Sequence, residues 1–392
     1  MEDRLREIII SIANRCNLRC LMCQIPEAPV SAEMTTAEVK ALISDAANFH
    51  PASIVFSGGE PLLREDILDL ITFVNQRKIN TCLTSNGTLI DDEMAHKLRA
   101  AGVGVVNISV DGPQEIHESL RGKGNFTKAL AALKNLSRHK IETTIATMVC
   151  KQNYKFMPYI IGLARQFGVS TVKFQPFSEI FLEDKDKRTM FFASKEQLSE
   201  IKQSVETAAA LAEDYKITIN PANYLALIPD YLSGLWQGPS DKGCAALWSS
   251  CPVSSDGEVY PCWVLSARSL GNVKKHKFSE IWNSEQHKAL RRGIVNQGCP
   301  GCLMSCYDRN LGAQGLRETL VLKAGKFKQA NFYKRQYYRS YQSLRYIFNK
   351  VASRFANAVK FQTRSVSDQP RLLAEIRSAR DRLTKELQSL KK

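Results

Sequence analysis

Between residues 6 and 176 the chain alternates strand-like and helix-like segments six times with short connections, a pattern that few folds accommodate. Short β-branched or apolar runs at 6–12, 53–57, 79–84, 104–110, 141–149 and 170–175 read as strands. Segments 35–48, 65–77, 91–100, 125–138 and 155–167 read as helices, with Ile67, Leu70, Ile71 and Val74 at helical spacing. Thr35 followed by Glu38 is a capping box that opens the first helix. Repeated strand–helix units require parallel strands with right-handed crossovers. Six units are too few to close an eight-stranded barrel, so an α/β fold with an open barrel is expected; a doubly wound sheet is the alternative that periodicity leaves open.

The rest of the 392 residues is organised differently. Residues 177–243 connect, with a helix-like stretch at 195–214 and a loop containing Pro221, Pro229, Gly234, Gly238 and Pro239. Residues 244–312 are rich in cysteine and turns, and 320–392 form a basic tail with apolar residues at three- and four-residue steps on either side of Pro370. The expected division is thus 1–176, 177–243, 244–312 and 320–392. That tail holds 18 Lys/Arg against 4 Asp/Glu, so it carries +14 of the formal net charge of +15. The body is nearly neutral and offers no bulk electrostatic reason to bind nucleic acid. No apolar run reaches membrane-span length. The opening MEDRLREIII lacks the apolar core and cleavage site of a signal peptide, so a cytoplasmic location is expected.

Eleven cysteines in such a chain point to metal or catalysis more than to disulfides. Cys82 and Cys150 stand alone in strand-like stretches and read as small buried hydrophobes. Cys16, Cys20 and Cys23 follow the first strand at spacings of four and three. Thiolates suit zinc or iron–sulfur. Structural zinc prefers four ligands, and neither a histidine nor a fourth cysteine lies near. A cubane held by three cysteines leaves one iron open to a substrate or cofactor. No P-loop, HExxH or Gly-x-Ser-x-Gly occurs, and Gly102 and Gly104 lack the third glycine of a dinucleotide fingerprint.

In Cys16-x3-Cys20-x2-Cys23 the chain resembles the radical S-adenosylmethionine (SAM) superfamily, and further motifs follow in order at strand ends. Gly58-Gly59-Glu60-Pro61 resembles the segment that contacts the methionyl amino group of SAM. Ser85-Asn86-Gly87 is similar to the motif after the third strand, near the methionyl and ribose groups, and Asp111-Gly112 to the fourth-strand motif. Arg121 resembles an arginine that pairs with the SAM carboxylate. The resemblance implies an open (β/α)6 partial TIM barrel, a SAM-binding [4Fe–4S] cluster and an electron donor such as flavodoxin or ferredoxin. It also implies reductive cleavage of SAM to methionine and a 5′-deoxyadenosyl radical that abstracts a hydrogen atom from a substrate. Oxidation, epimerisation or cross-linking of a peptide, a sugar-like metabolite or a lipid-linked one is the expected outcome.

Farther on, SSDGEVYPCW reads as a hairpin with a two-residue Asp256-Gly257 turn, followed by Cys299-Pro300-Gly301-Cys302 and Cys306. A Cys-x2-Cys knuckle and two earlier cysteines supply four ligands for zinc or a second cluster. The stretch resembles the SPASM/Twitch extension of radical SAM enzymes. No cysteine follows 306, as the full SPASM pattern would require, so one auxiliary [4Fe–4S] cluster is expected. By analogy with the Twitch pattern its ligands are Cys244, Cys262, Cys299 and Cys302, with Cys306 or Cys251 as alternates. The basic tail reads as a helical pair packing on protein, with docking to a membrane surface as the next reading. The competing view of the whole chain is a zinc-binding scaffold whose tail docks to membrane or nucleic acid.

Overall fold

In a computed structural model, residues 5–23, 25, 32–178, 188–235, 246–297 and 302–304 are described. Six strands appear where the alternation places them: β1 (Glu7–Ala13), β2 (Ser53–Gly58), β3 (Asn80–Ser85), β4 (Val105–Ser109), β5 (Glu142–Val149) and β6 (Thr171–Pro176). Each pairs in parallel with the next. Helices α1 (Thr36–Ala46), α2 (Ile67–Asn75), α3 (Asp92–Ala101), α4 (Gln114–Arg121), α5 (Asn125–Arg138) and α6 (Met157–Phe167) alternate with them. The Thr35–Glu38 capping box forms at the start of α1. The short helix α7 (Arg188–Phe191) and the long helix α8 (Leu198–Tyr215) follow β6.

Strand side chains alternate between two faces. On β1, Ile8, Ile10 and Ile12 are fully buried on the face that carries the helices, as are Ile54 and Phe56 on β2 and Val172 and Phe174 on β6. The other face is different. Ser11 lies opposite Ser57, and Thr84, Asn107, Thr144 and Thr171 are in register across β3 to β6. Below that polar row, Ile9, Val55 and Cys82 are in register and pack with Ala246, Leu247, Cys262, Ile294 and Met304. One face is thus a helix-covered core, and the other a polar row above an apolar plug supplied by the later part of the chain.

The sheet extends past the six units. β7 (Ser250–Val253) pairs in parallel with β1 on the side away from β2. β8 (Glu258–Val259) and β9 (Gly271–Asn272) then add antiparallel, giving the order β6-β5-β4-β3-β2-β1-β7-β8-β9. The architecture is a mixed sheet flanked by helices, of (β/α) barrel-like type. Joining β7 to β8 is the expected hairpin with a different turn. Ser254 donates its N–H to the Glu258 carbonyl and Gly257 donates to the Ser254 carbonyl, so the loop is three residues long, Ser255 to Gly257. Gly257 sits at φ +92°, the left-handed position that closes such loops.

A second difference is α4, where the sequence shows only a motif-bearing stretch. Its buried residues are His117 and Leu120 alone, so the apolar signal was too thin to mark a helix. Cys150 is buried as expected, with Leu120, Phe177 and Phe191. Cys82 is only partly buried and has a polar partner, Asn107 Nδ2 at 3.2 Å from its sulfur. Among the described residues no helix is long and apolar enough to cross a membrane. The basic tail, Cys244, Cys299 and Cys306 lie outside the described residues.

Candidate functional site: the loops after β1 to β4

The C-terminal ends of β1 to β4 meet in one hydrogen-bonded assembly. It begins with two glycines. Gly59 donates its N–H to the Ala13 carbonyl (2.7 Å) and Glu60 donates to that of Arg15 (2.8 Å). A Cβ at Gly59 would lie 2.1 Å from the Arg15 oxygen, and one at Gly58 2.4 Å from that of Ala13. Only glycine lets the end of β2 come this close to the backbone entering the cysteine loop.

The Glu60 carboxylate is fully buried. It accepts from the Ser85 hydroxyl (2.9 Å), the Asn86 N–H (2.9 Å) and the Leu62 N–H (3.2 Å). Burial pushes its pKa up, and these three donors pull it back. Glu60 therefore ties the loop after β3 to the loop after β2. Asn86 carries the chain of contacts back to the cysteines, donating to Asn17 Oδ1 at 2.9 Å, with Cys16 Sγ at 3.9 Å. Asn17 in turn donates to Thr88, whose N–H and hydroxyl both reach Asn86 Oδ1. Asn17 and Thr88 carried no signal of this role in the sequence, because each acts only through a residue distant in the chain.

The other side is built on Asp111, also fully buried. Its Oδ1 accepts from the Met148 N–H (2.9 Å) and its Oδ2 from Arg121 Nε (2.5 Å). Its carbonyl accepts from Asn153, and its N–H donates to His117 Nδ1 at 3.3 Å. Burial holds the His117 pKa down to about 4, so the ring is neutral at physiological pH and can accept that bond. Arg121 ends α4, its side chain 15% exposed. Its charge acts on Cys20 and Cys23 as well as on Asp111.

The cysteine loop is docked between these two sides. Leu21 donates to the Leu120 carbonyl at the end of α4 (2.8 Å), and Met22 packs against Leu120, Cys150, Phe177 and Phe191. Cys16, Cys20 and Cys23 are all partly exposed. The Leu18 N–H points at Cys16 Sγ (3.4 Å). Burial raises the Cys16 thiol, and it raises Cys20 to about 11 against the pull of Arg121. Among the described residues no group of three or more His, Cys, Asp or Glu is gathered around one ion position. Thiolates that each bind a different iron of a cube need no such single point.

A sequence profile of the radical SAM superfamily matches residues 10–160, and one of an iron–sulfur cluster-binding domain, SPASM, matches residues 244–306. The chain thus carries a radical SAM domain followed by a C-terminal SPASM-type auxiliary iron–sulfur domain. It is a radical SAM enzyme with an auxiliary cluster domain, and its chemistry is SAM cleavage followed by radical hydrogen abstraction. Two proteins of Methanosarcina barkeri (strain Fusaro / DSM 804) are similar over most of their length. Fe-coproporphyrin III synthase is 29% identical over 313 residues, 76% of this chain and 78% of that one. AdoMet-dependent heme synthase is 29% identical over 340 residues, 78% of this chain and 93% of that one. The crystal structure of Streptococcus suis SuiB bound to S-adenosylmethionine has a TM-score of 0.61 at 16% identity, covering 76% of this chain and 73% of that one, a likeness of fold.

In the auxiliary region of this radical SAM enzyme, Cys262 and Cys302 join the same apolar plug beneath β1 to β3. Cys251 lies within β7 and is fully buried, its thiol facing the carbonyls of Pro252 (4.0 Å) and Tyr260 (3.9 Å). Burial pushes that thiol strongly up.

Proposed function

We propose that Cys16, Cys20 and Cys23 hold a [4Fe–4S] cluster with one open iron, and that the loops after β2 to β4 form the bed for SAM. The donor set fits: three accessible thiols on one loop, an N–H aimed at sulfur, and a guanidinium whose charge reaches two of them. Held there by Cys16, Cys20 and Cys23, a reduced cluster would supply the one electron that reductive cleavage of the SAM sulfonium requires.

The roles of the protein side chains divide in two. Gly58, Gly59, Pro61, Glu60 and Ser85 position, since the N–H groups of Gly59 and Glu60 and the Glu60 carboxylate are spent within the protein. Arg121 binds, whereas Asn86, whose N–H, Nδ2 and Oδ1 are engaged by Glu60, Asn17 and Thr88, positions with the first group. The only bond from Arg121 to Asp111 runs through Nε, and the terminal fork is left for the SAM carboxylate beside the cysteine loop. Asp111 fixes that fork. For the auxiliary cluster we read Cys244, Cys262, Cys299 and Cys302 as ligands. The six parallel units form an open (β/α)6 barrel, with the SAM domain at 1–176 and the cluster domain at 244–312.

The observation that carries this reading is the continuous chain of hydrogen bonds from Cys16 through Asn86 and Glu60 to the glycine clamp. Its test is anaerobic reconstitution with iron and sulfide, followed by reduction. Formation of 5′-deoxyadenosine from SAM, lost in Cys16→Ala, Cys20→Ala or Cys23→Ala, is the expected result; intact SAM with wild-type protein overturns it. For the substrate we infer a tetrapyrrole, on the support of the two Methanosarcina relatives, named for synthesis of Fe-coproporphyrin III and of heme. Incubation of the reduced enzyme with SAM and Fe-coproporphyrin III, followed by mass spectrometry, checks it. An unchanged porphyrin mass overturns that choice.

A further inference from the structure

The inner face of the sheet holds two polar groups that neither the SAM bed nor the apolar plug uses. Asn107, in the middle of β4, is nine-tenths buried. Its Nδ2 donates to Cys82 Sγ (3.2 Å) and to Thr84 Oγ1 (3.1 Å), while its Oδ1 is buried with no hydrogen-bond partner. A buried amide oxygen left unpaired is costly, and a ligand donor would satisfy it. Lys173, on β6, projects from the same face, because its neighbours Val172 and Phe174 are fully buried on the helix side. It is exposed and makes no ion pair among the described residues. Its register partner is Ala146, so no bulky neighbour on β5 covers it. Its positive charge lowers the pKa of the Cys82 thiol on β3 against the upward push of burial. Gln175, two residues on, touches Met304 at 3.2 Å, so the later part of the chain walls this side.

We propose that Lys173 and Asn107 form the substrate anchor of this enzyme: the ammonium pairs with a substrate carboxylate, and Asn107 Oδ1 accepts from an N–H or O–H of the same molecule. The hydroxyls of Thr84 and Thr144 flank the amide in register and complete a polar floor. Above it, the loops after β1 to β4 hold the SAM bed, so a molecule seated on the floor faces the radical. A molecule with several carboxylic arms meets both requirements, one arm as carboxylate at Lys173 and another donating its acid O–H to Asn107 Oδ1. The assignment rests on the tetrapyrrole reading and adds to it that carboxylates steer binding.

The test uses the full-length, anaerobically reconstituted enzyme with two probes, metal-free coproporphyrin III and its tetramethyl ester, titrated by absorbance. Wild type is expected to bind the acid about tenfold more tightly than the ester. Lys173→Met lowers that ratio severalfold and Lys173→Arg restores most of it. Asn107→Leu weakens the acid severalfold and leaves the ester as it is. Lys155→Met, which removes a lysine 60% exposed and paired with Glu200, leaves the ratio as it is. Near-UV circular dichroism checks that each variant is folded. A ratio unaltered by Lys173→Met, or equal binding of acid and ester to wild type, overturns the anchor and leaves the tetrapyrrole reading standing. Failure of wild type to bind either probe overturns both.

Discussion

The two cysteine regions are held in opposite ways. The loop carrying Cys16, Cys20 and Cys23 is clamped by backbone contacts that only glycine permits, and by two buried carboxylates, Glu60 and Asp111, that spend themselves inside the protein. The region of Cys251, Cys262 and Cys302 is held by strand pairing of β7 to β1 and by apolar packing under the sheet. The first is positioned by directional bonds, the second mainly by burial. Packing tolerates volume-conserving change, whereas a clamp with a Cβ-sized gap tolerates none.

Gly59→Ala is the sharpest test of that contrast. The new methyl would meet the Arg15 carbonyl at 2.1 Å, and backbone must move. We expect loss of most iron from the first site and a fall in 5′-deoxyadenosine formation of at least about 100-fold, the scale set by a misplacement of ~1 Å. At the hairpin in the second region, Gly257→Ala meets a flexible Asn272 side chain at 3.0 Å, and its φ of +92° sets the main cost. Retained iron and a stability loss of ~1 kcal/mol are expected by chemical denaturation. Equal damage from the two substitutions would erase the distinction.

Cysteine variants sharpen it within the second region. Cys262→Ala is expected to remove one cluster, about half the iron per chain, by metal analysis. Cys251→Ala removes a thiol enclosed in β7 and leaves iron content intact, with a stability loss of ~1–2 kcal/mol. Iron loss from Cys251→Ala would move the ligand set.

A smaller effect is expected from pH. His117 is neutral in the fold, its pKa lowered from 6.5 to about 4. The unfolded chain binds a proton there between those values and the folded protein does not, so stability falls as pH drops through that window. The loss amounts to roughly 3 kcal/mol at most by pH 4. His117→Gln should flatten the dependence of melting temperature on pH between 6.5 and 4, while the slope from other groups persists. The effect is confined to the Asp111 side, so iron at the Cys262 region should follow pH no differently in the variant.

The contrast also explains what the sequence made legible. The six strands were readable to within a residue or two because each carries β-branched residues, as in Ile8, Ile10 and Ile12, and because Gly or Pro punctuates the ends of β2, β3, β4 and β6. The motifs were readable because the clamp needs particular residues at particular positions. α4 was hidden, since a helix that buries only His117 and Leu120 has little apolar period to show. The seam between β7 and β1 was hidden for another reason: it joins residues more than 240 apart, and nothing local in SCPV announces a parallel partner. Asn107 looked like an ordinary strand residue until register placed it beside Cys82 and Thr84.

That seam has a mechanical consequence. β1 is bonded on one edge to the strand that ends in the glycine pair and on the other to the strand that opens the second cysteine segment. A single extended rail therefore serves as the common ruler for both. Any displacement of this rail is shared by both flanks through its backbone bonds.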